Sequence, residues 1–79
     1  MTLAERIYWF QQDYRCVAEG TERQELGIEY LSKIIAQANQ GIKELGIPND
    51  GYEQTLYDDL VELHNRAVDL INELMKGGN

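Results

Sequence analysis

Cysteine, histidine and basic side chains are scarce in this sequence, and each shortage closes off a class of reading. Cys16 is the only cysteine, so no disulfide can form within the chain, and a reducing, cytoplasmic setting is expected. His64 is the only histidine. Its neighbours one helical turn away are Leu60, Val61, Ala67 and Val68, which offer none of the convergent groups that a zinc site or a catalytic centre needs. Seven bases stand against 14 acids, for a net charge of −7. The bases (Arg6, Arg15, Arg23, Lys33, Lys43, Arg66, Lys76) are scattered and form no patch, and an acidic chain repels phosphate backbones and anionic lipid. No apolar run approaches the ~18 residues of a membrane span. No basic start followed by an apolar stretch marks a signal peptide. Glycine-rich phosphate loops follow strands, and no strand is foreseen. Asn49, Asp50 and Gly51 lack the remainder of a calcium-loop pattern. Neither a cofactor, a metal nor catalytic residues are therefore expected, and the chain does not read as an enzyme.

What is present is helical periodicity. From Asp50 to Lys76, Leu56, Leu60, Leu63, Ala67, Leu70 and Leu74 recur at steps of four and three. A second row lies beside them: Tyr57, Val61, His64, Val68, Ile71 and Met75. The two rows span roughly half the helix circumference, wider than an ordinary surface helix requires. This helix is therefore expected at the centre of a bundle, covered by more than one neighbour.

Upstream, Thr2 and Glu5 form a capping box. Behind it, Leu3, Ile7, Phe10, Tyr14 and Val17 make one inward stripe that Gly20 ends. Thr21 and Gln24 repeat the box. The second helix then carries the seam Ile28, Leu31, Ile35, Ala38, Ile42 and Leu45, with Gly27, Ile34 and Gly41 on its flank. Each glycine inside a helix costs about 1 kcal/mol relative to alanine, so the two flanking glycines predict close approach of a neighbouring backbone or aromatic ring. Gly46 fits the position just past the helix end, and Ile47 is placed to touch Ile42 as in a Schellman motif. Pro48 blocks continuation, and Asp50 with Glu53 caps the third helix. So short a turn makes the last two helices antiparallel. Gly77 and Gly78 end the chain's helical part. The prediction is one all-α domain over residues 1–79. It is a small three-helix bundle in which a short N-terminal helix (3–19) packs on a long antiparallel hairpin (22–45, 51–76).

Two surface features bear on function. Asp58, Asp59, Glu62, Asp69 and Glu73 fall on the outer side of the third helix, with Arg66 among them. Such a face is a solvated surface or a docking edge for a basic partner. On the first helix, Trp9 and Cys16 fall opposite the inward stripe, with Tyr8, Gln12 and Asp13 near them. Aromatics directed at water on a small protein mark an interface. Cys16 pointing outward also separates it from His64, against a thiol enzyme. The expected function is an inhibitor, adaptor or regulator that binds a larger protein with a basic surface, in the manner of small phage-encoded or nucleic-acid-mimicking regulators. Direct nucleic-acid or membrane binding is not expected. The alternative is a self-assembling structural module, a homodimer or larger, with the first and third helices at its interface.

Overall fold

The computed structural model describes residues 2–20 and 24–77. Three helices follow one another: α1 (Leu3–Ala18), α2 (Gln24–Leu45) and α3 (Gly51–Gly77). Helices α2 and α3 form the antiparallel hairpin, and α1 packs on both. This is the expected three-helix bundle, with boundaries within two residues of those predicted. Among the described residues there is no strand, and no helix is long and apolar enough to cross a membrane. Thr21 and the side chain of Gln24, on which the second capping box rests, lie outside the described residues, as do Gly78 and Asn79.

The caps form with altered reciprocal arms. The Glu5 amide donates to Thr2 Oγ1 at 3.2 Å, but the Glu5 carboxylate takes its bond from the Thr2 hydroxyl, at 3.1 Å. At α3 the Glu53 amide donates to Asp50 Oδ1 at 2.8 Å, while the Glu53 carboxylate reaches one residue further than expected, to the Asn49 amide at 2.9 Å. Both helices still satisfy orphan N-terminal donors and place an acid against the positive end of the dipole.

The turn after α2 differs from the expectation. Gly46 has φ of +68°, and its amide donates to the Ile42 carbonyl at 3.0 Å. That single bond is the simpler left-handed cap and not the Schellman form. Ile47 consequently does not fold back on Ile42 and stands 86% exposed. A Cβ at Gly46 would meet nothing within 4 Å, so the cost of a side chain there is purely conformational. Gly46→Val is expected to lower stability by at least about 1–2 kcal/mol, the penalty an L-residue meets in the left-handed region. Chemical denaturation followed by circular dichroism checks this, and an unchanged midpoint would refute it.

The core comprises two contiguous clusters. One gathers Val17, Leu31, Ile34, Leu63 and Ala67, with Phe10, Tyr14 and Leu70 against it. The other gathers Ile7, Ala38, Leu56 and Leu60, with Leu3 and Leu45 against it. Leu31, Ile34 and Leu60 are the largest fully buried side chains. The core-facing line of α2 is therefore displaced from the predicted seam. Gly27, Ile34 and Gly41 are buried, while Ile28, Ile35 and Ile42 are only half-buried. The reason is α1, which lies on the glycine flank. A Cβ on Gly27 would stand 3.0 Å from Val17 Cγ1, and one on Gly41 would stand 3.1 Å from Leu60 Cδ2 and 3.4 Å from Leu3 Cδ1. Close approach was expected, but aliphatic side chains make it, not a backbone or a ring. The Arg6–Glu44 ion pair at 3.1 Å ties α1 to the same side of α2, for at most about 1 kcal/mol at this exposure.

Helix α3 is covered less broadly than its two rows imply. Leu56, Leu60, Leu63 and Ala67 are buried, whereas Tyr57, Val61, His64, Val68 and Ile71 are half-buried and Met75 is 61% exposed. Two neighbours cover the first row and leave most of the second beside water.

Candidate partner-binding surface

On α1 the stripe fixes what faces out. Ile7 and Val17 are buried and Phe10 and Tyr14 join the core, so the remaining angles of the helix carry Tyr8, Trp9, Asp13 and Cys16. Tyr8 and Trp9 are each 54% exposed. Their ring centroids lie 5.3 Å apart at an interplanar angle of 76°, the edge-to-face arrangement that aromatic quadrupoles favour. Asp13 and Cys16 are exposed on the same helix, and Gln12 is half-buried.

Gln12 connects this pair to α3. It lines a hollow of about 280 Å³ between the helices, together with Gln11, Tyr14 and Arg15 of α1 and Asp59, Glu62, Leu63 and Arg66 of α3. A second, shallower hollow of about 370 Å³ runs along the outer side of α3, lined by Tyr57, Asp58, Val61, Glu62, Asn65, Arg66 and Asp69. Glu62 and Arg66 border both. The five predicted acids are thus divided. Asp59 turns toward α1 and is half-buried, Asp58 and Asp69 face outward, Glu62 stands between, and Glu73 is exposed outside both hollows.

Charge in the two hollows differs. The first holds two carboxylates and two guanidiniums. Arg66 pairs with Glu62 one turn away, and Arg15 pairs with Glu19 at 3.6 Å. The second holds three carboxylates against Arg66 alone, and Asp58 there accepts from Gln54 Nε2 at 2.9 Å. The acidic edge therefore lies on the outer side of α3, and the groove beside α1 is close to neutral.

His64 is half-buried, with Nδ1 3.3 Å from Asn65 Oδ1. Among the described residues no three His, Cys, Asp or Glu side chains converge to hold a metal ion.

Besides Tyr8 and Trp9, five large apolar side chains among the described residues stand exposed that periodicity does not reveal: Leu26 and Tyr30 on α2, with Ile47, Tyr52 and Met75. Ile47 is exposed because the turn takes the simpler cap. Tyr52 is 65% exposed. It lies on the side of α3 that Leu63 and Leu70 share, but α1 begins level with Leu56 and Leu60, where Leu3 packs, and Tyr52 is a turn beyond. Met75 stands 61% exposed, in the last turns of α3.

The fold and surface define a small helical bundle with an exposed aromatic pair on α1 and an acidic edge on the outer side of α3. No protein-family model, curated protein or solved structure matches the chain.

Proposed function

We propose that this chain is a protein-interaction module. It acts as an inhibitor, adaptor or regulator by docking its α1 aromatic pair and the acidic edge of α3 onto a larger protein with a basic surface. The observation that carries the reading is the Tyr8–Trp9 pair, packed edge to face yet more than half exposed. Large aromatics in such settings are the residues most often responsible for binding energy. The acidic edge supplies steering: a net charge of −7 with exposed Asp58, Glu62, Asp69 and Glu73 raises the rate of encounter with a basic surface more than it raises final affinity.

Asp58→Lys, Glu62→Lys and Asp69→Lys made together test the electrostatic half. The triple variant should retain its helical circular dichroism, because Asp58, Glu62 and Asp69 are exposed and the Glu62–Arg66 pair is a surface pair. A partner captured from the native host should associate with the variant at least about tenfold more slowly, and its association with the wild type should slow as salt rises. Binding indifferent to both salt and charge reversal would reduce the acidic edge to a solvated surface.

A further inference from the structure

The hollow between α1 and α3 is lined by four charged side chains, Arg15, Asp59, Glu62 and Arg66. Three of them are already paired. Arg66 bonds Glu62 inside the hollow, and Arg15 bonds Glu19 outside it at 3.6 Å. Asp59 is the charge left over. Among the described residues no hydrogen bond or ion pair reaches its carboxylate. The same is true of the side chains of Gln11, Gln12 and Tyr14, which line the hollow from α1. All four are half-buried, so each has given up part of its hydration without gaining a protein partner. Leu63, only 4% exposed, supplies the apolar wall.

We propose that this hollow takes an arginine side chain of the basic partner. That the guanidinium arrives on a partner protein rests on the docking through α1 proposed above; its recognition rests on the hollow alone. Pairing leaves one uncompensated negative charge there, which a single cation balances. An anion would have to displace Glu62 or Glu19 from its guanidinium and approach a chain of net charge −7. Guanidinium fits better than ammonium. It presents five N–H donors in one plane and no acceptor. The hollow answers with acceptors from both helices: the Asp59 carboxylate, the amide oxygens of Gln11 and Gln12, and the Tyr14 hydroxyl. A guanidinium is weakly hydrated and stacks on aromatic rings such as that of Tyr14, whereas a compact ammonium holds its water. Gln12 lies four residues after Tyr8 and three after Trp9, which is one helical turn. An arginine seated in the hollow therefore brings its own chain toward the aromatic pair.

Titration of the nitrogen-15-labelled full chain with N-acetyl-arginine amide at low salt tests the assignment, because the guanidinium is that probe's only charge. Saturable shifts should centre on Gln11, Gln12, Asp59 and Leu63, with Kd on the order of millimolar for so small a ligand. The uncharged citrulline counterpart should give no saturable shift, and the lysine counterpart should bind at least about threefold more weakly. Asp59→Asn keeps the shape and removes the charge, so it should weaken the arginine amide at least about fivefold. Asp58→Asn, in the outer hollow, should change it by less than about twofold. Shifts that never saturate, or that centre on Asp58 and Asp69, overturn the assignment. So does citrulline or lysine amide binding as well as arginine amide, or a folded Asp59→Asn chain that binds unchanged. Should Asp59→Asn unfold, the arginine–citrulline contrast in the wild type decides. The captured partner separates this site from the docking. Partner binding weakened by Trp9→Ala but not by Asp59→Asn keeps the docking and removes the arginine. Partner binding indifferent to Trp9→Ala, in a chain whose hollow takes the arginine amide, keeps the site and removes the docking through α1.

Discussion

Leu60→Ala should cost about 2–5 kcal/mol, the range for removing a buried leucine side chain, and leave a measurable fraction of the chain unfolded at room temperature. Leu60 is fully buried and belongs to the cluster with Ile7, Ala38 and Leu56. Its two δ-methyls lie 3.1 and 3.2 Å from where a Gly41 Cβ would be, so it fills the space the glycine leaves open. Truncation empties that space on the α2 side, and neighbouring helix backbones cannot collapse into it cheaply. A chain of 79 residues has only a few kcal/mol in total to lose. Thermal melting by circular dichroism reads the loss. A Gly41→Ala change in the same background gives a sharper result. By itself it crowds Leu60 and Leu3; paired with Leu60→Ala it refills part of the cavity. The double variant should be more stable than the sum of the two single effects predicts, since contacting residues couple. Strict additivity, or a melting shift of only a degree or two for Leu60→Ala, would show that the two helices do not meet there.

The architecture was legible because local signals agreed with one another. Thr2, Asp50, Gly20, Gly46 and Pro48 punctuate the chain where the helices begin and end, and leucines recurring at four and three set the buried side of α3. What periodicity cannot supply is which neighbour lies where. On α2 the rows Ile28–Ile35–Ile42 and Gly27–Ile34–Gly41 are adjacent, and hydropathy alone favours the first. The position of α1 decides for the second, and the glycines were the available sign of it, since a helix keeps such costly residues where something must come close. Likewise the second row of α3 reads as core by composition and proves half-buried, because covering it requires another element on that side of the hairpin. Ile47 depended on one hydrogen bond: had its amide folded back to the Ile42 carbonyl, the side chain would have packed, and with the simpler cap it stands in water. The pair at Tyr8 and Trp9 was accessible to the wheel of α1, because Ile7 and Phe10 on either side already occupy the core. Its link through Gln12 to Asp59 and Glu62 joins residues nearly fifty positions apart, and that only the packed helices reveal.

Trp9→Ala should separate binding from folding. Trp9 is 54% exposed, and among the described residues its one ring contact is the edge-to-face meeting with Tyr8, worth about 0.5–1.5 kcal/mol between aromatics. Removing it should therefore lower the melting temperature by about 2–12 °C and leave helicity intact. Its effect on docking should be far larger. An indole left half in water has burial still to gain, on the order of 1–2 kcal/mol from apolar area alone. As the centre of an interface, truncation of a tryptophan commonly costs 2 kcal/mol or more, about thirtyfold in Kd. The same residue reports on itself, being the only tryptophan. Emission of the free chain should lie to the red, as for an indole in contact with water, and shift to the blue when the larger partner is added. Blue emission from the free chain at a concentration where it is monomeric, joined to a large loss of stability in Trp9→Ala, would place the indole in the core and remove the basis for docking through α1. Red emission that persists when the partner is bound would place the interface elsewhere on the surface.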